Sequence, residues 1–214
     1  MAYAGRRRKR RCSHNTRADL PMAHPPAEPT GDRSLTDLQA KPDPALLEGL
    51  ELHQAVIDDG VLQARQFVWI ATADLKDMHV RRGQRFIPLL HVFDDMAQRG
   101  VQFRLVHSAL PSRPFRASLE SCEHLTSGGM ELQICPRSHW KIVVVDGRMA
   151  YCGSANFTGA GLGARSAHKR NFEIGMVGTE ANFVASLMRR FDDFWMGRRC
   201  GDCRLRDICP DPIV

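Results

Sequence analysis

Aromatic residues make up only 7% of this 214-residue chain, so platforms for stacking nucleic-acid bases are not evident. No apolar run approaches the roughly 20 residues of a membrane-spanning helix. The longest are Phe67–Ala73, interrupted by Thr72, and Ile142–Val145. No apolar stretch follows the basic N-terminus either, so a secretory leader is not expected and the expected location is cytoplasmic. Seven cysteines, an odd number without an export signal, argue against a disulfide framework and toward metal ligation or free thiols. Excess charge is also missing from most of the chain. The net charge is +6, and the run Arg6-Arg7-Arg8-Lys9-Arg10-Arg11 supplies six positive charges, leaving 24 basic against 24 acidic residues elsewhere. The basic balance is therefore that of a tail. Such a tail suits nucleic acid or an anionic membrane surface, or is a plain solvated end.

What is present is an ordinary globular balance, 43% hydrophobic and 25% charged, long enough for one domain with a real core. Residues 1–44 read as a disordered basic and proline-rich region, with Pro21, Pro25, Pro26, Pro29, Pro42 and Pro44. Residues 45–197 read as the folded domain, and 198–214 as a short tail rich in cysteine and arginine. Leu46, Leu47, Leu50, Leu52, Val56, Ile57, Val61 and Leu62 have helical spacing. Gln66–Ala73 reads as a buried strand, Ile87–Gln98 as a helix ended by Gly100, and Val101–His107 as the next strand. This order implies an α/β unit with a partly parallel sheet. Pro111–Gly129 reads as a loop with a short helix. Glu131–Cys135, Trp140–Asp146, Met149–Cys152 and Asn171–Val177 read as strands, and Glu180–Met196 as an amphipathic helix. Asp146-Gly147 is the strongest hairpin signal, and Gly153–Gly163 is a glycine-rich loop.

The chemistry concentrates in residues 139–156. On a strand, residues two apart share a face, so His139 and Lys141 project together while Trp140 and Ile142 point away. An imidazole beside an ammonium suits a phosphate: the ring nitrogen attacks phosphorus and the cation neutralises the non-bridging oxygens. The chain then turns at Asp146-Gly147 and returns, bringing the loop Gly153-Ser154-Ala155-Asn156 beside the strand that began it. Gly153 permits close backbone approach, while the Ser154 hydroxyl and Asn156 amide can donate to phosphate oxygens.

This segment, His139-x-Lys141-x4-Asp146-x6-Gly153-Ser154-x-Asn156, closely resembles the HKD signature of the phospholipase D superfamily. The resemblance covers roughly residues 60–197. It implies a phospholipase D-like α/β/α sandwich, a mixed β-sheet flanked by helices. It also implies a covalent mechanism that needs no cofactor. His139 would form a phosphohistidine, a second histidine would protonate the leaving alcohol, and water would release the ester. Lys141, Gly153, Ser154 and Asn156 would bind the phosphoryl group, and Glu173 would hold the His139 ring in its working tautomer. Asp146 belongs to the same catalytic signature, although fixing the hairpin turn suits it better. Short single-motif members of the family build the site across a twofold homodimer. This chain has one H-x-K, so a homodimer is expected.

Cys200-x2-Cys203-x5-Cys209 packs three cysteines into the tail. A metal site needs a fourth ligand, and Cys135, four residues before His139, is the best candidate. Cys152, Cys122 and Cys12 are weaker candidates, and a histidine is a further one. The spacing is similar to the last three cluster ligands of endonuclease III-type glycosylases and of some RecB-like nucleases. It departs from the glycosylase pattern in having Asp193 where that pattern has a cysteine. The expectation is a [4Fe–4S] cluster or zinc, against free thiols on a flexible end.

The motif recognises a phosphate and leaves the rest of the substrate open. The single motif, the arginine-rich tails and the cysteine spacing lean toward a nuclease. Arg81, Arg82, Arg85, Arg113, Arg116, Lys169 and Arg170 could line a backbone groove, or be plain surface. A phospholipid substrate is the alternative, for a phospholipase D, a cardiolipin hydrolase or a phosphatidyl transferase, with Trp69 or Trp140 at an interface or in the core. A non-catalytic module that binds nucleic acid or phospholipid is the reading from another class. Binding-only relatives usually lose the histidine or lysine, and this chain keeps both.

Overall fold

The computed structural model describes residues 43–76, 78–162 and 167–213. The run Arg6–Arg11, Cys12, nearly all of the segment 1–44 and Gly163 lie outside the described residues. Nine strands and four α-helices follow one another among the described residues. They are β1 (Ala45–Glu48), α1 (Gly49–His53), β2 (Phe67–Thr72), β3 (His79–Arg82), β4 (Arg85–Pro88), α2 (Leu89–Gln98), β5 (Gln102–His107), α3 (Arg113–Glu120), β6 (Met130–Ile134), β7 (Ile142–Val145), β8 (Met149–Gly153), β9 (Ile174–Gly178) and α4 (Ala181–Trp195). Seven strands form one sheet in the order β1-β9-β8-β7-β2-β5-β6, and β3 and β4 form a separate ribbon. The pairs β2–β5 and β5–β6 are parallel, as the strand–helix–strand order implied. All the other pairs in the large sheet are antiparallel.

The sheet is covered on both faces. Val143, Val145 and Tyr151 pack with Val68, Ile70, Phe103 and the α2 residues Phe93 and Met96. Their neighbours Ile142, Val144 and Ala150 pack on the other face against Val184, Leu187 and Phe191 of α4. The result is an α/β/α sandwich with a mixed sheet. Double coverage explains why β7 is an unbroken apolar run with all four residues buried, where a half-exposed strand would alternate. Trp69 stacks on Phe191 with centroids 5.2 Å apart, and Trp140 packs on Phe194 at 5.0 Å. Both tryptophans therefore serve the α4 interface. Emptying such a site, as in Phe191→Ala, costs about 3–5 kcal/mol. Glu180 caps α4, its carboxylate accepting from Asn182 N at 2.9 Å and Phe183 N at 2.8 Å.

The structure corrects the expected boundaries in three places. The leucine-rich stretch from Leu46 is a strand before it is a helix, because β1 finds an open edge on β9 and pairs Leu46 with Met176. Tertiary pairing overrides helical spacing there. The β3–β4 ribbon lies where arginines mask the alternation, around Arg81-Arg82-Gly83-Gln84-Arg85. Strand β7 begins at Ile142 and β9 at Ile174, so His139, Trp140, Lys141 and Asn171–Glu173 belong to the loops that enter them.

Candidate active site

The hairpin β7–β8 carries both halves of the signature. Asp146 and Gly147 adopt φ values of +52° and +65°, the left-handed pair that Asp-Gly favours, at the centre of a β-turn closed by the Arg148 N–H donating to Val145 O at 2.9 Å, within a three-residue loop. From this turn the strands run back together, pairing Val145 with Met149 and Ile142 with Cys152. One step further the N–H of Gly153 donates to the Lys141 carbonyl at 3.2 Å. The ladder thus delivers Gly153-Ser154 to the side of Lys141. On the other flank Gly153 pairs with Gly175 of β9. A Cβ on Gly153 would sit 2.6 Å from Gly175 Cα, so the close approach this glycine permits is to the neighbouring strand.

Lys141 and His139 touch. Lys141 Nζ lies 3.1 Å from His139 Nδ1 and donates to the His139 carbonyl at 3.0 Å. The same ammonium lies 3.4 Å from His139 Nε2, so it sits against both ring nitrogens, either of which can be the nucleophile. Burial pulls the Lys141 pKa below its ordinary value, and the nearby Glu173 carboxylate opposes that shift. The Ser154 hydroxyl donates to Glu173 and accepts from Ile174 N at 3.1 Å. Asn171 Nδ2 donates to the other Glu173 oxygen at 3.2 Å. The structure thus brings His139, Lys141, Ser154 and Glu173 to one end of the sheet. Glu173 holds Ser154 and Asn171 there; among the described residues its hydrogen bonds do not run to His139.

Asn156 is held by its side-chain oxygen. Its Oδ1 accepts from Ala73 N at 3.2 Å and Asp74 N at 3.1 Å, fixing the loop after β2. With the oxygen so engaged, the amide N–H2 remains the donor end. Asn156 also lines a cavity of about 490 Å³ together with His79, Lys76, Phe86 and Asn171.

Asp146 has a structural role at the opposite end. Four residues of extended chain, five Cα steps or about 16 Å, separate it from Lys141, too far for both to touch one phosphate. Its Oδ1 accepts from Gln66 N at 2.8 Å and Phe67 N at 2.9 Å, and its Oδ2 from Arg65 N at 2.9 Å. Arg148 pairs with Oδ2 at 2.9 Å, and the Asp146 side chain is 1% exposed. Burial pushes its pKa up, but the three backbone N–H groups and Arg148 more than reverse this and leave it lowered. The carboxylate ties the hairpin turn to the start of β2.

Two positioning residues escape a sequence reading. Tyr151 is buried, and its hydroxyl donates to Ala155 O at 3.1 Å and accepts from Ala155 N at 2.9 Å. Burial pushes its pKa up, so it stays a phenol. Thr72 Oγ1 donates to Asp74 O at 2.7 Å and accepts from Phe157 N at 2.9 Å. Together they clamp both sides of the Ser154–Phe157 loop. Each is an ordinary strand residue in the sequence, and only the fold aims it at the loop.

The cysteines gather as well. Cys135, Cys200, Cys203 and Cys209 are free thiols and all line one cavity of about 430 Å³. Cys122 and Cys152 do not line it. Among the described residues no three His, Cys, Asp or Glu side chains stand close enough to hold a single metal ion as they are.

Comparison with known proteins agrees with this architecture. Residues 59–195, more than half of the chain, match the family described as cardiolipin synthase, PLD-like domain. The chain therefore belongs to the phospholipase D superfamily, a superfamily of phosphodiesterases. Among solved structures, NucT from Helicobacter pylori has a TM-score of 0.51 at 14% identity, covering 71% of this chain and 94% of that one. Nuc from Salmonella typhimurium, a phospholipase D family member, has a TM-score of 0.47 at 16% identity, covering 72% and 95%. At this identity the likeness to NucT is one of fold. No curated protein matches the sequence. Among the described residues no helix is long and apolar enough to cross a membrane.

Proposed function

We propose that this protein is a phosphodiesterase that cleaves nucleic acid through a covalent phosphohistidine on His139. The observation that carries the reading is the Lys141–His139 contact at 3.1 Å, with Ser154 brought beside it by the β7–β8 ladder. An incoming phosphate draws the Lys141 ammonium off the ring. The freed nitrogen attacks phosphorus, forming the N–P bond as the bond to the leaving alkoxide breaks, and the alkoxide takes a proton. Water then attacks the phosphohistidine, releasing the phosphate ester and restoring the imidazole. Lys141 neutralises the equatorial oxygens throughout. Ser154 contributes a donor once it turns from Glu173 to the phosphate, and Asn156 contributes its amide N–H2.

The protonating histidine comes from a second copy of the chain, making the enzyme a homodimer. This is supported by the single H-x-K and by Phe172, fully exposed next to Glu173, with half-exposed Ile174 on its other side. Such apolar side chains at the mouth of a charged site suit an isologous contact. Nucleic acid is favoured by the exposed β3–β4 ribbon. Arg81, Arg82 and Arg85 stand on it, and Phe86, exposed beside them, lines the Asn156 cavity. Cations along a backbone path and an aromatic for one base are the elements of single-strand binding.

The test is incubation with single-stranded DNA, RNA, duplex DNA, phosphatidylcholine and cardiolipin in EDTA, with His139→Ala alongside. Nuclease turnover lost in the variant is expected. Turnover on lipid alone would reassign the substrate. Binding without turnover would make the chain a binding module, and cleavage that survives the substitution would refute the mechanism.

A further inference from the structure

The structure assigns a second site, away from the phosphodiester chemistry: we infer that Cys135, Cys200, Cys203 and Cys209 hold a [4Fe–4S] cluster between the C-terminal tail and the turn that leads to His139. Three independent features of the cavity support it. First, the four thiols come from two segments 65 residues apart, and the fold brings them to the same walls. The tail is tied there by Asp211, whose Oδ2 accepts from Ile134 N at 2.7 Å, one residue before Cys135. Cys135 is itself fixed, its N–H donating to His107 O at 2.8 Å and its carbonyl accepting from Ser138 N at 2.9 Å.

Second, the cavity is built for negative charge. Arg137, Arg198, Arg199 and Arg206 line it, against Asp202 and Asp211; Arg198 is paired with Asp193 at 3.2 Å, and Arg206 donates to the Cys200 carbonyl at 3.1 Å. Arg137 Nη1 already donates to Cys203 Sγ at 3.4 Å. Four thiolates around a cubane core of charge +2 leave a net −2, which guanidinium groups offset. Third, the lining holds buried polar atoms without a partner in the protein. Ser138 Oγ is one, in a residue 3% exposed, and Gln133 Oε1 is another. A buried hydroxyl left unpaired is costly. A cluster sulfide or thiolate would accept from Ser138.

The thiols as placed are not converged on a single ion, which suits a cluster better than one zinc ion. Tetrahedral zinc at about 2.3 Å from each sulfur draws the sulfurs to about 3.8 Å from one another. Such a set is absent among the described residues. A cubane separates its thiolates by four irons and four sulfides, and so is held by cysteines spread around a cavity.

The test uses the full chain purified without oxygen. Expected are a brown protein and about four irons and four sulfides per chain. Releasing the cluster should raise the number of reactive thiols by four. Cys135→Ser and Cys203→Ser should lose iron and sulfide together, while Cys122→Ala and Cys152→Ala keep both. A colourless protein without iron, an iron content indifferent to Cys135 and Cys203, or one zinc in place of iron would each overturn the cluster. The thiol count on the unsubstituted chain decides the matter even if a variant fails to fold.

Discussion

The two ends of the β7–β8 hairpin look alike in the signature and differ in kind in the molecule. At the turn, Asp146 is sealed, each carboxylate oxygen accepts two hydrogen bonds, and nothing is left for a substrate. At the open end, His139 is exposed and Lys141 rests on it. A buried, fully satisfied carboxylate stabilises; a half-buried cation against an exposed imidazole keeps its chemistry at the surface. The single motif thus joins a piece of architecture to a piece of chemistry, held at a fixed distance by four strand residues.

That contrast can be broken by substitution. The largest effect is expected at the open end, where His139→Ala should lower turnover by at least about 10⁴-fold with no change in the unfolding midpoint. Retained turnover in a stopped assay would remove the nucleophile from that end. At the closed end, Asp146→Ala should cost about 3 kcal/mol in chemical denaturation while the folded fraction keeps its activity. Its pH dependence has a definite sign. The folded pKa is lowered, so the stabilisation is complete above the unfolded value of about 3.9 and fades as pH falls through the folded pKa. The stability gap between parent and Asp146→Asn should therefore close only below about pH 4. A gap that closes near neutrality would contradict the assignment.

A third substitution tests whether the open end is complete in one chain. Phe172→Asp should shift sedimentation from dimer to monomer and remove turnover with it. A fully active monomer would show that one copy suffices. The smallest effect concerns Glu173, which raises the Lys141 pKa against burial. Glu173→Gln should move the alkaline limb of the kcat/KM profile to lower pH. A limb that moves up or stays would mean that Lys141 does not set it.

Much of the open end was legible in the residues themselves. His139 and Lys141 two apart, and an Asp-Gly turn midway to Gly153-Ser154, imply a hairpin that closes on a phosphate-sized site. Cys135 was expected beside the tail cysteines from its place four residues before His139, and the structure puts the four thiols on the walls of one cavity. The helix expected from Leu46 and the overlooked β3–β4 ribbon mark the limit of pattern reading. A strand edge supplied by β9 and an arginine-covered ribbon depend on partners distant in sequence.

By itself, then, the sequence determined the hairpin, an α/β unit with a partly parallel sheet and a phosphate-suited pair, while its resemblance to the phospholipase D superfamily implied the sandwich and the phosphodiester bond. The first three follow from local rules: side-chain period, turn conformation and the chemistry of an imidazole beside an amine. The tertiary structure alone decided that Asp146 locks β2, that Glu173 faces Ser154 and Lys141, that Tyr151 and Thr72 clamp the loop, and that four cysteines share a cavity. Each of those is a contact between segments far apart in the chain. Which groups meet is settled by how the sheet orders its strands, and one residue's neighbours in sequence carry no record of that order.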